Sequence, residues 1–237
     1  MKQRDTFKGP GYFQYFIVEK KRNITEYKAL IATRIVKEEH RTSLLYTIFR
    51  AQLELWIALY STGENIQILK GLFPTIVESF AVYLQQENSE PINFYGLTDY
   101  IQSLWLISIA ILLDISDDLL KQLLSLIGHM GEDALFDSLV NLRFPQRVCY
   151  DSIIHLKPYL TLYQAINTTG EESSNLISLF IENYYSNVEG VYWVGTEETE
   201  LFFGYWLFEL AAFVKGLSID DRMFANNIYY PRDLIYQ

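Results

Sequence analysis

Cysteine is almost missing from this sequence: Cys149 is the only one in 237 residues. That excludes a disulfide framework and any zinc site built on three or four thiolates, and it fits a reducing compartment. Glycine and proline are sparse, at 12 and 6 residues, which excludes collagen-like and low-complexity architecture. No charge-free apolar stretch is longer than the 14 residues from Tyr100 to Leu113. A membrane-spanning helix needs about 20, so this stretch reads as a buried helix. The opening Met1-Lys2-Gln3-Arg4-Asp5 has no apolar core of signal-peptide type, and the cluster Tyr12 to Val18 runs into Glu19-Lys20-Lys21-Arg22 with no small-residue cleavage site. A soluble, cytoplasmic protein is the expectation.

Catalytic signatures are equally scarce. No G-x-x-x-x-G-K-[ST], G-x-G-x-x-G, G-x-S-x-G or H-E-x-x-H pattern occurs. The three histidines, His40, His129 and His155, are far apart and lack ligand spacing, so they read as surface or packing residues. Cys149 has no histidine beside it in sequence and reads as a small buried hydrophobe. Asp114, Asp117 and Asp118 resemble the aspartate-rich Mg²⁺ motifs of all-helical prenyl-transfer enzymes, but Ser116-Asp117-Asp118 opens a helix, where capping and the helix dipole explain it. No metal or cofactor is expected, and no enzymatic activity.

Basic residues are missing over one long span. Residues 1–50 hold 11 Lys and Arg against 5 Asp and Glu, whereas residues 51–237 hold 8 against 24. Between Lys157 and Lys215 no Lys or Arg occurs, and the span carries eight glutamates: Glu171, Glu172, Glu182, Glu189, Glu197, Glu198, Glu200 and Glu209. A surface of that kind repels nucleic acid and attracts basic partners, with its field acting mainly on the rate of encounter. The basic run Lys20-Lys21-Arg22, flanked by Glu19 and Glu26, reads as a solvated helix face.

What is present in abundance is apolar residues at helical spacing. Half the chain is hydrophobic, and i, i+3, i+4, i+7 patterns recur with no strict alternation. A first helix starts near Gly11 and places Phe13, Ile17, Ile24, Tyr27, Ile31 and Ile35 on one face. A second carries Leu45 to Leu59 and stops at Gly63. Residues 64–86 form a third helical region that Pro74 restarts or kinks, and Asn88-Ser89-Glu90-Pro91 is a loop. Thr98 or Asp99 caps the next helix, and Ser116 with its aspartates caps the one reaching Ile127. Shorter helices follow over 134–142, 151–166, 172–185 and 199–217, with the Val188–Gly195 stretch as a loop rather than a strand.

The expected fold is all-α, a layered bundle or irregular solenoid of about eight to ten helices. It is divided into a region 1–114 and a region 115–237 that pack as one unit. Glu209, the only charge between Leu201 and Val214, must be hydrogen-bonded if buried: to a tyrosine hydroxyl, a backbone amide or an arginine such as Arg232.

Residues 204–234 contain Tyr205-Trp206-x-Phe208-Glu209, Ala211-Ala212, Ile219-Asp220-Asp221 and Tyr229-Tyr230-Pro231-x-Asp233-Leu234. This closing segment resembles the terminal signature of PoNi-type immunity proteins, and Arg4-Asp5-Thr6 followed by Tyr12-Phe13 is similar to their N-terminus. The resemblance implies an all-helical, two-part immunity protein that neutralises a polymorphic DNase toxin in interbacterial competition, with the toxin encoded beside it. It gives the signature an architectural role, with Trp206 and Phe208 packing the last helices and Pro231 fixing the closing turn. A DNase cleft must attract a polyanion, so an acidic face is suited to block it. Glu189, Glu197, Glu198 and Glu200 around the aromatic Gly190–Gly195 loop are the expected toxin contacts, supported by Glu171, Glu172 and Glu182. Exposed aromatics also suit a homodimer; neither nucleic acid nor membrane is an expected partner. Two alternatives stay open: an Mg²⁺-dependent all-α enzyme using Asp114, Asp117 and Asp118, or a helical scaffold for another basic partner.

Overall fold

The computed structural model describes residues 2–33, 36–145 and 151–236, with the side chains of Glu38 and Glu39 left out. Cys149 and the expected apolar position Ile35 lie outside the described residues. Among the described residues the chain is all-helical: nine α-helices and a closing 3₁₀ turn at Arg232–Leu234. Backbone contacts group it into two compact units. The first comprises residues 1–91, 121–126 and 196–205, and the second residues 92–120, 127–195 and 206–237.

The first unit is built on α1 (Pro10–Ala32), α2 (Glu38–Ser61) and α3 (Ile66–Leu84). Proline at the first position of α1 is pre-set for a helix start. Helix α2 packs against both α1 and α3, and its end is tied down by the N-terminal arm. Arg4 donates to the carbonyls of Tyr60 and Glu64 at 2.9 Å each, and its guanidinium lies over the Tyr60 ring. Asp5 closes a turn by accepting from Phe7 and Lys8 N–H. Gly63 follows α2 at φ +90, and a Cβ there would fall 2.2 Å from the Lys2 carbonyl oxygen, so only glycine fits. Pro74 sits inside α3, which continues as one helix to Leu84 rather than restarting.

The second unit centres on α4 (Leu97–Leu112), which is buried on nearly every side and packs against α9 (Phe208–Leu217) and α6 (Ala134–Asn141). Its N-cap is Gly96; Thr98 and Asp99 lie inside the first turn, where Asp99 accepts from the Asn93 N–H. Helix α5 (Asp117–Ile127) contributes to both groups of residues, and Leu119 N–H reaches Ser116 Oγ at its start. Helices α7 (Leu156–Ile166) and α8 (Gly170–Asn187) pack side by side. The α7 start is five residues later than the periodicity predicts, because 151–155 bond elsewhere: Ser152 O accepts from Ala134 N–H, and Ile154 N–H donates to Asp133.

The largest departure from expectation is the stretch 199–207, read from sequence as the first half of the last helix and in fact non-helical. Its Phe202-Phe203-Gly204-Tyr205 core is buried without helical hydrogen bonds of its own. Side chains from the first unit substitute for them: Tyr12 OH donates to Phe202 O at 2.7 Å and Ser61 Oγ to Phe203 O at 3.0 Å. Gly204 takes φ +121, which L-side chains rarely adopt. None of the described helices is long and apolar enough to cross a membrane.

Candidate functional site

The C-terminal signature makes a dense interior. Phe208 is fully buried and Trp206 nearly so, and Leu207 N–H donates to Tyr229 O at 2.9 Å, which joins the start of α9 to the closing turn. Asp221, 3% exposed, accepts from Arg232 Nε at 3.0 Å and lies 3.4 Å from the Tyr230 hydroxyl. Pro231 is buried beside it, and Tyr229 packs on Tyr185 with ring centroids 4.5 Å apart. Asp220 and Asp233 face solvent, and Asp220 is clamped by Arg222, whose guanidinium holds its carboxyl below the usual carboxylate range. In the first unit, Tyr205 packs on Phe202 and Phe7, and its hydroxyl accepts from Thr196 N–H.

Glu209 is wholly buried, and its partner is a tyrosine rather than Arg232. Tyr159 OH donates to its Oε1 at 3.1 Å, and the Tyr184 hydroxyl lies 3.0 Å from that of Tyr159. The other carboxyl oxygen has no hydrogen-bond partner among the described residues. Burial pushes the carboxyl up to about 7, with the tyrosine hydroxyls opposing that rise. A second buried carboxylate, Asp133, was not visible as such in sequence. It caps α6 through Phe136 N–H and also accepts from Tyr100 OH and Ile154 N–H, at 2.7–2.8 Å. The only sequence signal was an aspartate directly before a helical pattern. Both carboxylates are held by the fold, not offered to a ligand.

The other seven glutamates of the basic-free span lie at or near the surface. Glu171 and Glu172 occupy the first turn of α8, where a carboxylate complements the helix dipole. Glu182 follows Glu171 by eleven residues, about three turns or roughly 16 Å, on the same face. That solvent-facing stripe also carries Asn175, Leu179, Asn183 and Ser186. Glu189 is exposed just past the end of α8. These four belong to the second unit, whereas Glu198 and Glu200, exposed, and Glu197, half-buried beside Tyr205, belong to the first. None of the seven makes an ion pair among the described residues. Glu171 also borders an open pocket of about 890 Å³ with aliphatic walls from Ile166, Leu217 and Ile219.

The aromatic loop corrects one expectation. Residues 190–195 form turns as predicted, but Trp193 is 1% exposed and packs on Trp105 at 4.6 Å, and Val191 is buried. Of its two aromatics Tyr192 alone is partly accessible, so this loop does not present a set of aromatic anchors. Asp114 and Asp117 both point at Arg143, at 2.8 Å each, which occupies the carboxylates that the Mg²⁺ alternative would use. Among the described residues no three His, Cys, Asp or Glu side chains gather as metal ligands.

Two family models match the sequence. One, described as PoNe immunity protein (PoNi), N-terminal, covers residues 4–125, and the other, PoNe immunity proteins (PoNi), C-terminal, covers residues 131–234. No curated protein matches significantly. Among solved structures, the crystal structure of protein PA2201 from Pseudomonas aeruginosa is similar, with a TM-score of 0.77 at 14% identity, covering 99% of this chain and 90% of that one. At that identity the likeness bears on the fold alone.

Proposed function

Because the chain belongs to the PoNe immunity protein (PoNi) family, and so is an immunity protein whose partner is a cognate toxin, we propose that it binds a DNase and covers the cationic surface through which that enzyme grips DNA. The protein performs no chemistry in this reading. It acts in the cytoplasm by occupying the toxin's cleft with carboxylates in place of phosphates.

The observation that carries the reading is the fate of the eight glutamates in the basic-free span. The fold withdraws one, Glu209, into its interior and leaves the others at the surface without an ion-pair partner among the described residues. A folded protein has no need for such a concentration of uncompensated charge, which raises its self-repulsion. Against a lysine- and arginine-rich cleft the same charges accelerate capture, and speed matters when the target destroys the genome. The pocket beside Glu171 adds concave space in which Ile166, Leu217 and Ile219, set among hydroxyl groups and the Asp220–Arg222 pair, offer contact to the stem of an entering lysine or arginine.

The test is purification of the toxin encoded beside this chain and measurement of its DNA cleavage with and without the immunity protein. Full inhibition by the wild-type chain, with loss on replacing Glu171, Glu172, Glu182, Glu198 and Glu200 by lysine, is expected. Undiminished inhibition by that variant would remove the acidic-surface mechanism while leaving immunity itself intact.

A further inference from the structure

The open pocket beside Glu171 has a chemistry that surface charge alone does not explain. At the end of α9, Ser218 takes φ +55 and Ile219 N–H returns to Val214 O. The chain that follows lays Asp220, Arg222 and Met223 along one side of this cavity of about 890 Å³. Thr168, Ser173 and Ser174, from the α7–α8 connection and the start of α8, also line it. All of these residues belong to the second unit.

The hydroxyls there turn their protons inward. Thr168 Oγ1 donates to Gln164 O at 3.1 Å, Ser173 Oγ to Ala165 O at 2.8 Å and Ser174 Oγ to Gly170 O at 3.4 Å. Each then has only lone pairs to offer a guest. Glu171 and Asp220, on the same lining, are acceptors outright. The first amides of α8 open at this end too, and Glu171 and Glu172 already complement their dipole. A lining of acceptors suits a guest with donors and no acceptor, and the guanidinium of arginine is such a group, with five N–H bonds in a planar fork.

The chain already holds one guanidinium at the pocket. Arg222 Nε donates to both carboxyl oxygens of Asp220, at 2.9 and 2.8 Å, and a terminal nitrogen reaches Oδ2. The Arg222 side chain is 86% exposed and that of Asp220 52%, and a pair so open to water is easily exchanged. We infer that Arg222 is a displaceable stand-in. When the toxin binds, one of its arginines replaces Arg222 on Asp220, with Glu171 on the same rim and the exposed Leu217 and Met223 beside the incoming stem. This rests on the acidic-surface reading and adds to it the side chain that enters and the one that leaves.

The test begins without the toxin. The full chain, isotopically labelled for amide NMR, is titrated with N-acetyl-arginine amide, N-acetyl-lysine amide and acetate. Saturable shifts within 166–174 and 217–223 are expected for the arginine derivative, weaker ones for lysine and none for acetate. Arg222→Ala should tighten the arginine derivative roughly threefold, and Asp220→Asn should abolish its shifts. Lys157→Ala, which removes the same charge at the far end of α7, should change nothing. Toxin should likewise leave the Arg222→Ala variant more slowly than wild type in surface plasmon resonance. An Arg222→Ala affinity no better than wild type, equal binding of the two derivatives, or shifts driven by acetate overturns the inference. Failure of the acidic-surface reading shows separately, as inhibition that survives lysine at the surface glutamates.

Discussion

The stretch from α1 to α2 and the stretch from α8 to α9 handle carboxylates in opposite ways. In the early stretch acids are answered by bases: Glu19, Glu26 and Glu54 all face Arg22, Lys20 or Arg50. In the later one no cation stands between Lys157 and Lys215, and the one buried acid, Glu209, is held by tyrosine hydroxyls. The contrast teaches that, beyond the helix-dipole complement at Glu171 and Glu172, this fold makes little use of its later surface carboxylates. Charges that serve the fold are paired or hydrogen-bonded, whereas those left open to solvent are available to a partner.

Reversing charge in each stretch sharpens the contrast most. Lysine at positions 171, 172, 182, 198 and 200 is expected to slow association with the toxin and weaken inhibition by roughly a hundredfold or more, with a melting temperature lowered by only a few degrees as the first turn of α8 loses its acidic complement to the helix dipole. Glu19→Lys with Glu26→Lys, changing net charge in the same direction, should leave inhibition nearly intact. Equal losses in both variants would mean that only net charge matters and would break the comparison.

The next effect concerns the buried acid. Glu209 is pushed up to about 7 from 4.5, so between those values the folded chain keeps a proton that the unfolded chain has lost. Stability from this group is therefore present below pH 4.5, falls as pH rises towards 7, and levels off above that. Glu209→Gln removes the slope and should raise stability near pH 8 by about 3 kcal/mol, read from urea denaturation at two pH values. A flat wild-type profile that the variant does not alter would contradict the tyrosine-held, desolvated carboxyl. In α2, Glu54→Ala strands Lys20 and Arg50 around a mostly buried site and should cost about 1–2 kcal/mol. Smallest of all is Glu26→Ala: its 3.7 Å pair with Arg22 is exposed on both sides, and a change below about 0.5 kcal/mol is expected.

Much of this arrangement was legible in sequence, and the misses share a cause. Helix count, the Gly63 stop, the 88–91 loop and the acidic span follow from local pattern and counting. The 199–207 stretch did not, because its backbone is satisfied by Tyr12 and Ser61, residues 190 and 142 positions away. Nothing local distinguishes such a segment from the start of an apolar helix. The partner of Glu209 was one of three candidates for the same reason: only the packing of α7, α8 and α9 places Tyr159 beside it and gives Arg232 to Asp221. Trp193 lies in a glycine-bounded loop, where nothing local marks it as buried, yet it fills the space against Trp105. For the candidate surface, sequence identified the glutamates, and the helix phase of α8 showed which of them share a face.

The most direct measurement is competition at the toxin. A short duplex, bound to a cleavage-dead toxin under conditions where it is not cut, should be displaced by the immunity protein, with an apparent affinity that falls as duplex concentration rises. A stable ternary complex of toxin, duplex and immunity protein, with each affinity unaffected by the other ligand, would contradict the claim that these carboxylates occupy the place of DNA.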